Sequence, residues 1–209
     1  MDTTVKSATA KSEATYATIL AAAYDMAAAE GIGKVSLGEL SKRTGISKSG
    51  VFSRVGSLES LQSAVLDEYD RRFSEDVFAP ALEVPRGLPR LSRQVELWLK
   101  KIGNETTRGG CLYTAGAFEF DDVPGPLRDR IEAGVMRWRA SLRKTVLQAM
   151  EAGHLRPDTE PEQLVFEIYS LAIGVMHDAR FLRADATSKR AQRAFNRLIS
   201  TYKSFSDLE

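Results

Sequence analysis

The sequence predicts an all-α fold of about nine helices. Apolar residues recur at spacings of three and four along nearly the whole chain, which is the period of one helix face, and strand-like alternation is nearly absent. Serines, threonines and glycines divide this pattern, because Ser and Thr cap free backbone N–H groups and Gly favours the left-handed turn that ends a helix. A chain of 209 residues is long enough for a small module joined to a larger helical body.

The predicted elements follow one another with short breaks. Residues 1–12, rich in Thr, Ser, Ala and Lys, are expected to form a flexible arm, and a Pro- and Gly-containing bend is expected over 80–89. The nine predicted helices span 13–30, 37–44, 48–55, 58–78, 91–104, 111–121, 127–152, 160–183 and 187–205. We place the module at 13–58 and the body at 59–209.

The segment from Ser36 to Val55 has the spacing of a helix-turn-helix. Ser36 and Glu39 form an S-x-x-E capping box at the start of its first helix, and Gly45 permits the sharp turn before Ser47 caps the second. The second helix is the candidate recognition helix, since its first turns carry small polar side chains that allow close approach to the major groove. The residues expected to contact DNA are Ser36, Thr44, Ser47, Lys48, Ser49, Gly50, Phe52, Ser53 and Arg54.

Local charge favours this interpretation. The whole chain has a formal net charge of only +1, so no global field attracts it to nucleic acid. Between Lys34 and Arg54, however, five basic residues accompany one acidic residue. A local patch of this kind can pair with phosphates. The alternative is that the two short helices belong to a helical protein that does not bind DNA.

Residues 13–66 resemble the TetR family of repressors. The resemblance lies in the capped helix from Ser36, the Gly45–Lys48 turn and the stretch that follows Val51. Phe52 stands where the family usually has a phosphate-binding tyrosine, and Leu58 stands where a lysine is common. The resemblance implies an N-terminal DNA-binding module and a C-terminal body that binds an effector and dimerises.

The body carries a second, looser resemblance to a recurrent TetR C-terminal domain, in residues 109–112 and 118–122. Large side chains on its middle helices are expected to line an effector pocket, although each is equally suited to ordinary core packing. The acidic residues from Glu119 to Asp122 fit either attraction of a cation or a solvated helix end. The pocket residues we predict are Trp98, Ile102, Tyr113, Phe118, Met136, Trp138 and His177.

The last two predicted helices each carry an apolar stripe, and two such helices from each subunit can form a four-helix interface. The alternative is that both stripes face the core of their own chain. The residues predicted for this homodimer interface are Leu164, Ile168, Leu171, Val175, Phe195, Leu198 and Tyr202.

The resemblance to the TetR family implies a transcriptional repressor that leaves its double-stranded DNA operator when an unknown small-molecule effector binds. We see no Ser/His/Asp constellation, phosphate-binding glycine loop or paired metal-ligand motif, so neither an enzyme nor a metal or cofactor is expected. A protein-binding adaptor is the competing function. One cysteine, the lack of a long apolar run and the lack of a signal-peptide core predict a cytoplasmic protein without a membrane partner.

Overall fold

The computed structural model describes residues 2–104 and 110–204, with side chains described from Ser12 onward. Within these residues the chain is helical, and its one extended pairing is an isolated antiparallel bridge between Leu155 and Lys203. No helix in the described part of the chain is both long and apolar enough to span a bilayer.

The N-terminal module consists of α1 (Asp2–Glu30), a 3₁₀ turn (Ile32–Lys34), α2 (Leu37–Thr44) and α3 (Lys48–Val55). The predicted caps are present: the Ser36 hydroxyl accepts the Glu39 N–H at 3.2 Å, and the Ser47 hydroxyl accepts the Gly50 N–H at 3.1 Å. Gly45 has φ 71°, a left-handed conformation between α2 and α3 that glycine adopts without strain because it has no Cβ. The predicted bounds of both short helices are confirmed.

Helix α1 begins at Asp2 rather than at the predicted residue 13. The segment before residue 13 contains neither Gly nor Pro, and its Ala and Lys residues have high helix propensity, so nothing in it stops the helix. The predicted start of the first helix is therefore wrong, and the flexibility of residues 1–12 stays a prediction.

Helix α4 (Leu58–Phe73) leads from the module into the body. It continues through a π-helical turn (Ser74–Phe78) into the short α5 (Ala79–Leu82). The bend therefore starts later than the predicted residue 80, because Pro80 lies in the first turn of α5, where a missing N–H costs nothing. The Arg90 side chain holds the bend by donating to the carbonyls of Leu82 and Val84.

The body is built around the long helix α8. With α5 counted as an extension of α4, the described residues form nine helices, as predicted. The body helices are α6 (Leu88–Ile102), α7 (Leu112–Glu119), α8 (Pro126–Glu151), α9 (Pro161–Met176) with a following π-helical turn (His177–Leu182), and α10 (Thr187–Tyr202). α8 packs against α6, α7 and α9, while α4 contacts both α1 and α8. Any movement of α4 is thus shared between module and body.

Candidate DNA-binding face and effector cavity

Helix α3 presents a small, polar outer surface. Lys48, Ser49, Ser53 and Arg54 are exposed, while Val51 and Val55 on the opposite face are buried against the module. Phe52 is 54% exposed even though it is a large apolar residue. Its solvent position fits a contact surface better than a core residue.

Three predicted contact residues are partly buried and have a role inside the module. Ser36 caps α2, and the Thr44 hydroxyl donates to the Leu40 carbonyl at 2.7 Å. Gly50 lies against the turn: a Cβ there would be 2.9 Å from Ile46 Cγ2, closer than carbon atoms normally approach. Gly50 therefore lets α3 pack onto the turn, and its contact with DNA stays a prediction.

Charges on the module are divided into paired and unpaired groups. Arg43 forms ion pairs with Glu30 and Glu39, and Lys42 lies 3.5 Å from Glu39. Among the described residues no carboxylate lies within ion-pair distance of Lys48 or Arg54. Lys34 in the 3₁₀ turn likewise has no carboxylate within ion-pair distance among the described residues, so the unneutralised positive charge of the module lies on Lys34, Lys48 and Arg54.

A cavity of about 670 Å³ lies in the body between α4, α6, α7, α8 and α9. Its walls are mainly aromatic, and several rings contact one another edge to face, such as Trp98 and Trp138 with centroids 5.4 Å apart. A cavity of this size and lining suits a small organic ligand. The aromatic lining residues are Tyr69, Phe73, Phe78, Trp98, Tyr113, Trp138 and Tyr169.

Three of the seven predicted pocket residues line this cavity: Trp98, Tyr113 and Trp138. The other four lie elsewhere. Ile102 is buried and lines a separate pocket with Arg180, and His177 is exposed on the turn after α9. Phe118 and Met136 are 64% and 58% exposed, since each lies on an outer face of its helix. None of these four residues lines this cavity, because the sequence pattern did not fix which face of each helix turns inward, and their contact with an effector stays a prediction.

The cavity also contains residues that the sequence interpretation missed. Tyr69, Phe73 and Phe78 come from α4 and the turn after it, which we had not expected to form a wall. Helix α8 adds Lys144 and Arg137 to the lining. Lys144 follows Arg137 by seven residues, so the two lie on one stripe of α8, which is the signal that could have found them.

A hydrogen-bonded network joins the cavity wall to α4. Arg130 on α8 donates to the Tyr113 hydroxyl at 2.7 Å and to Asp67 and Asp70 at 2.9 and 2.8 Å. Arg137 pairs with Asp70 at 3.2 Å. Burial, together with the hydrogen bond to Asp70, raises the pKa of Tyr113, so its hydroxyl stays neutral.

Helix α7 joins the same cavity to the turn before α2. Cys111 and Tyr113 line the cavity at its start, and at its end a Glu119 carboxylate oxygen accepts the Gly33 N–H at 3.0 Å. A Cβ at Gly33 would be 2.5 Å from that oxygen, so the contact depends on the glycine. Glu119 is therefore more than the solvated helix end that the sequence suggested.

Most of the body matches a known family model. Residues 87–195 match the tetracyclin repressor-like C-terminal domain, which is more than half of the chain. The chain belongs to this TetR-like family. None of the curated proteins compared with it is similar enough in sequence to count as a relative.

Solved structures share the fold of this TetR-like chain. A TetR transcriptional regulator from Chloroflexus aurantiacus J-10-FL has a TM-score of 0.81 at 23% identity, over 92% of this chain and 98% of that one. A TetR-family regulator from Cytophaga hutchinsonii has a TM-score of 0.77 at 19% identity, over 92% and 96%. AibR, solved in complex with isovaleryl coenzyme A and operator DNA, has a TM-score of 0.69 at 17% identity, over 90% and 97%.

The last helices of this TetR-like chain differ from the predicted interface. Leu164, Ile168, Val175 and Phe195 are buried in the core of their own chain, so they are not available to a partner. Leu171, Leu198 and Tyr202 are half-buried there. The outer row runs along α9 and its turn instead, through Phe166, Ser170, Gly174, His177 and Phe181, of which Phe166 and Phe181 are 56% and 78% exposed.

Proposed function

We propose that this chain is a homodimeric, DNA-binding transcriptional repressor whose operator affinity falls when a small molecule occupies the body cavity. The observation that carries the proposal is the outer surface of α3, where small polar residues lie beside the unpaired charges of Lys48 and Arg54. The family match over residues 87–195 supports the same function.

Helix α3 is the element that enters the major groove. Ser49, Gly50 and Ser53 leave room for the helix to approach base edges, and Lys48 at its first turn pairs with a phosphate. Two such helices in a two-fold dimer fit half-sites about 34–36 Å apart, or a multiple of that distance.

The network around Arg130 supplies a route from cavity to DNA. Tyr113, Asp70 and Arg137 all line the cavity, and the same groups hold α4 against α8. A ligand that competes for these hydrogen bonds stabilises a different position of α4, which changes the distance between the two α3 helices. The equilibrium shifts only as far as the ligand prefers that second state. AibR offers a precedent for a protein of this fold that holds both a ligand and DNA.

The dimer interface follows the outer row of α9 rather than the buried stripe predicted from sequence. Exposed Phe166 and Phe181 supply apolar area at its two ends, and Ser170 and Gly174 between them are small enough for a partner helix to approach closely. Large exposed aromatic residues on one row indicate a surface that a partner covers.

A gel shift on operator fragments selected from a random DNA pool tests the function. The protein is expected to retard a selected fragment. Lys48→Ala should weaken binding and make the affinity less dependent on salt, because the variant releases about one counterion fewer from the DNA. Lys189→Ala is the matched control, since Lys189 is an exposed lysine on α10, far from α3 in the chain. An adaptor without DNA binding would retard no fragment at low salt and would exclude the proposal.

A further inference from the structure

The cavity holds three hydrogen-bonding groups that have no partner. These are the Tyr69 hydroxyl and the indole N–H groups of Trp98 and Trp138, and all three side chains line the cavity. Trp98 is 1% exposed and Tyr69 is 2% exposed, so bulk water does not satisfy them. Because these polar atoms have almost no accessible area, they lie behind the cavity surface, and the wall offers a ligand ring faces and ring edges.

The tyrosines of the wall remain neutral donors. Burial raises the pKa of Tyr69 well above its ordinary value, and burial raises the pKa of Tyr169 in the same direction. An indole N–H is a donor only. The wall therefore supplies ring contacts and no anionic tyrosine that would repel a negatively charged ligand.

Positive charge dominates the rest of the polar lining. Asp70 is already paired with Arg130 and Arg137, so its charge is neutralised within the protein. Lys144 lines the cavity on α8, and among the described residues no carboxylate lies within ion-pair distance of it. Lys144 lies six residues after Trp138, a rise of about 9 Å along the helix axis. An anionic group at one end of a ligand can thus reach Lys144 while rings at the other end contact the indoles.

We propose that the effector is an aromatic monoanion, a ring system that carries a carboxylate or a similar anionic oxygen group. The rings pack against the aromatic wall that includes Trp98 and Trp138, and the anionic end pairs with Lys144. This inference rests on the proposed function, because it names the ligand class of the cavity through which the repressor is released. A simple aliphatic acid lacks the ring contacts, and a neutral aromatic alcohol lacks the ion pair.

Three probes separate these features: 2-naphthoate, 2-naphthalenemethanol with the same rings but no charge, and decanoate with the charge but no ring. Titration calorimetry on the full chain is expected to show naphthoate binding about tenfold tighter than either other probe. Lys144→Gln lowers naphthoate affinity about threefold to fivefold and leaves naphthalenemethanol affinity unchanged. Lys189→Gln, a lysine outside the cavity, changes neither affinity.

Trp138→Phe leaves a smaller ring in the wall, so naphthoate affinity is expected to fall about fivefold through lost ring contact. Trp138 is half-buried, which makes this exchange safer for folding than one at Trp98. Decanoate binding as tightly as naphthoate would overturn the aromatic part of the proposal. Equal affinity for the neutral alcohol, or an unchanged affinity in Lys144→Gln, would overturn the anionic part.

Failure of this inference is distinguishable from failure of the proposed function. A protein that retards operator DNA yet binds none of the three probes is a repressor with a different ligand class. A protein that binds naphthoate with the expected variant effects yet retards no DNA keeps the ligand class and loses the repressor function.

Discussion

Replacing Gly134 by alanine tests how the cavity wall is packed. Gly134 lies on α8 directly under the Tyr113 ring, and an added Cβ would be 2.0 Å from Tyr113 Cε1 and 2.4 Å from Cζ. Tyr113 is 6% exposed and its hydroxyl accepts from Arg130, so the ring has little freedom to move without losing that hydrogen bond.

Two opposed effects set the size of the change. Replacing an exposed glycine inside a helix by alanine usually raises the free energy of unfolding by up to about 1 kcal/mol, because Ala has the higher helix propensity. Overpacking of a buried site costs about 1–3 kcal/mol, and a displaced ring also weakens a hydrogen bond to a charged group, which contributes about 1.5–3 kcal/mol. The clash therefore dominates, and Gly134→Ala is expected to lower the free energy of unfolding by about 1–3 kcal/mol.

Urea unfolding at a fixed protein concentration measures this change. The urea concentration at the midpoint of unfolding should fall, while the slope of the unfolding free energy against urea concentration should stay constant. In a Tyr113→Ala background the obstacle is gone, so Gly134→Ala should instead stabilise by up to about 1 kcal/mol. Gly38→Ala in α2 is the matched control, since a Cβ there meets no atom within 4 Å, and it should not destabilise. Stabilisation of the wild type by Gly134→Ala, or an equal cost without the tyrosine ring, would show that the Tyr113 ring does not limit this site.

Three further predictions concern other parts of the molecule. Phe52→Tyr adds a hydroxyl to an exposed ring on α3 and should tighten operator binding about fivefold in a gel shift; unchanged affinity would mean that residue 52 reaches no phosphate. Phe166→Glu should yield monomers by sedimentation, whereas Phe118→Glu, on an equally exposed ring of α7, should not; a dimeric Phe166 variant would exclude the α9 row. The hydrogen bond from Arg71 lowers the pKa of Glu68 from 4.5 to about 2, so its contribution to stability is present above pH 4.5 and is lost as pH falls towards 2. Between pH 4.5 and 2 the free energy of unfolding should therefore fall by about 1 kcal/mol less in Glu68→Gln than in the wild type, and an equal fall in both would show that the ion pair adds nothing.

The short, capped helices were the part of the fold that the sequence determined best. Ser36, Gly45 and Ser47 each have a local backbone role, so local spacing sufficed to place α2 and α3. The start of α1 was missed because helix propensity alone does not mark a beginning in the absence of a cap. The continuation of α4 was missed because Pro80 is compatible with both a bend and a first turn.

The candidate sites depend on contacts between distant segments, and here the sequence was less informative. Trp98, Tyr113 and Trp138 were identified by size, but size does not tell an inward face from an outward one, as Phe118 shows. The link from Glu119 to the Gly33 N–H joins residues 86 positions apart, and no local pattern encodes it. The stripe on α9 was recognised correctly as apolar, yet only the packing of α8 and α10 shows that it faces inward.

The positions of the two tryptophans determine what spectroscopy can detect in this protein. The chain contains only Trp98 and Trp138, and they are in contact with one another. All indole emission therefore originates in the body, and the N-terminal module adds none. Denaturation followed by fluorescence reports loss of the body alone, while far-ultraviolet circular dichroism reports every helix. A difference between the two transitions would reveal a module that melts independently, without any label being attached.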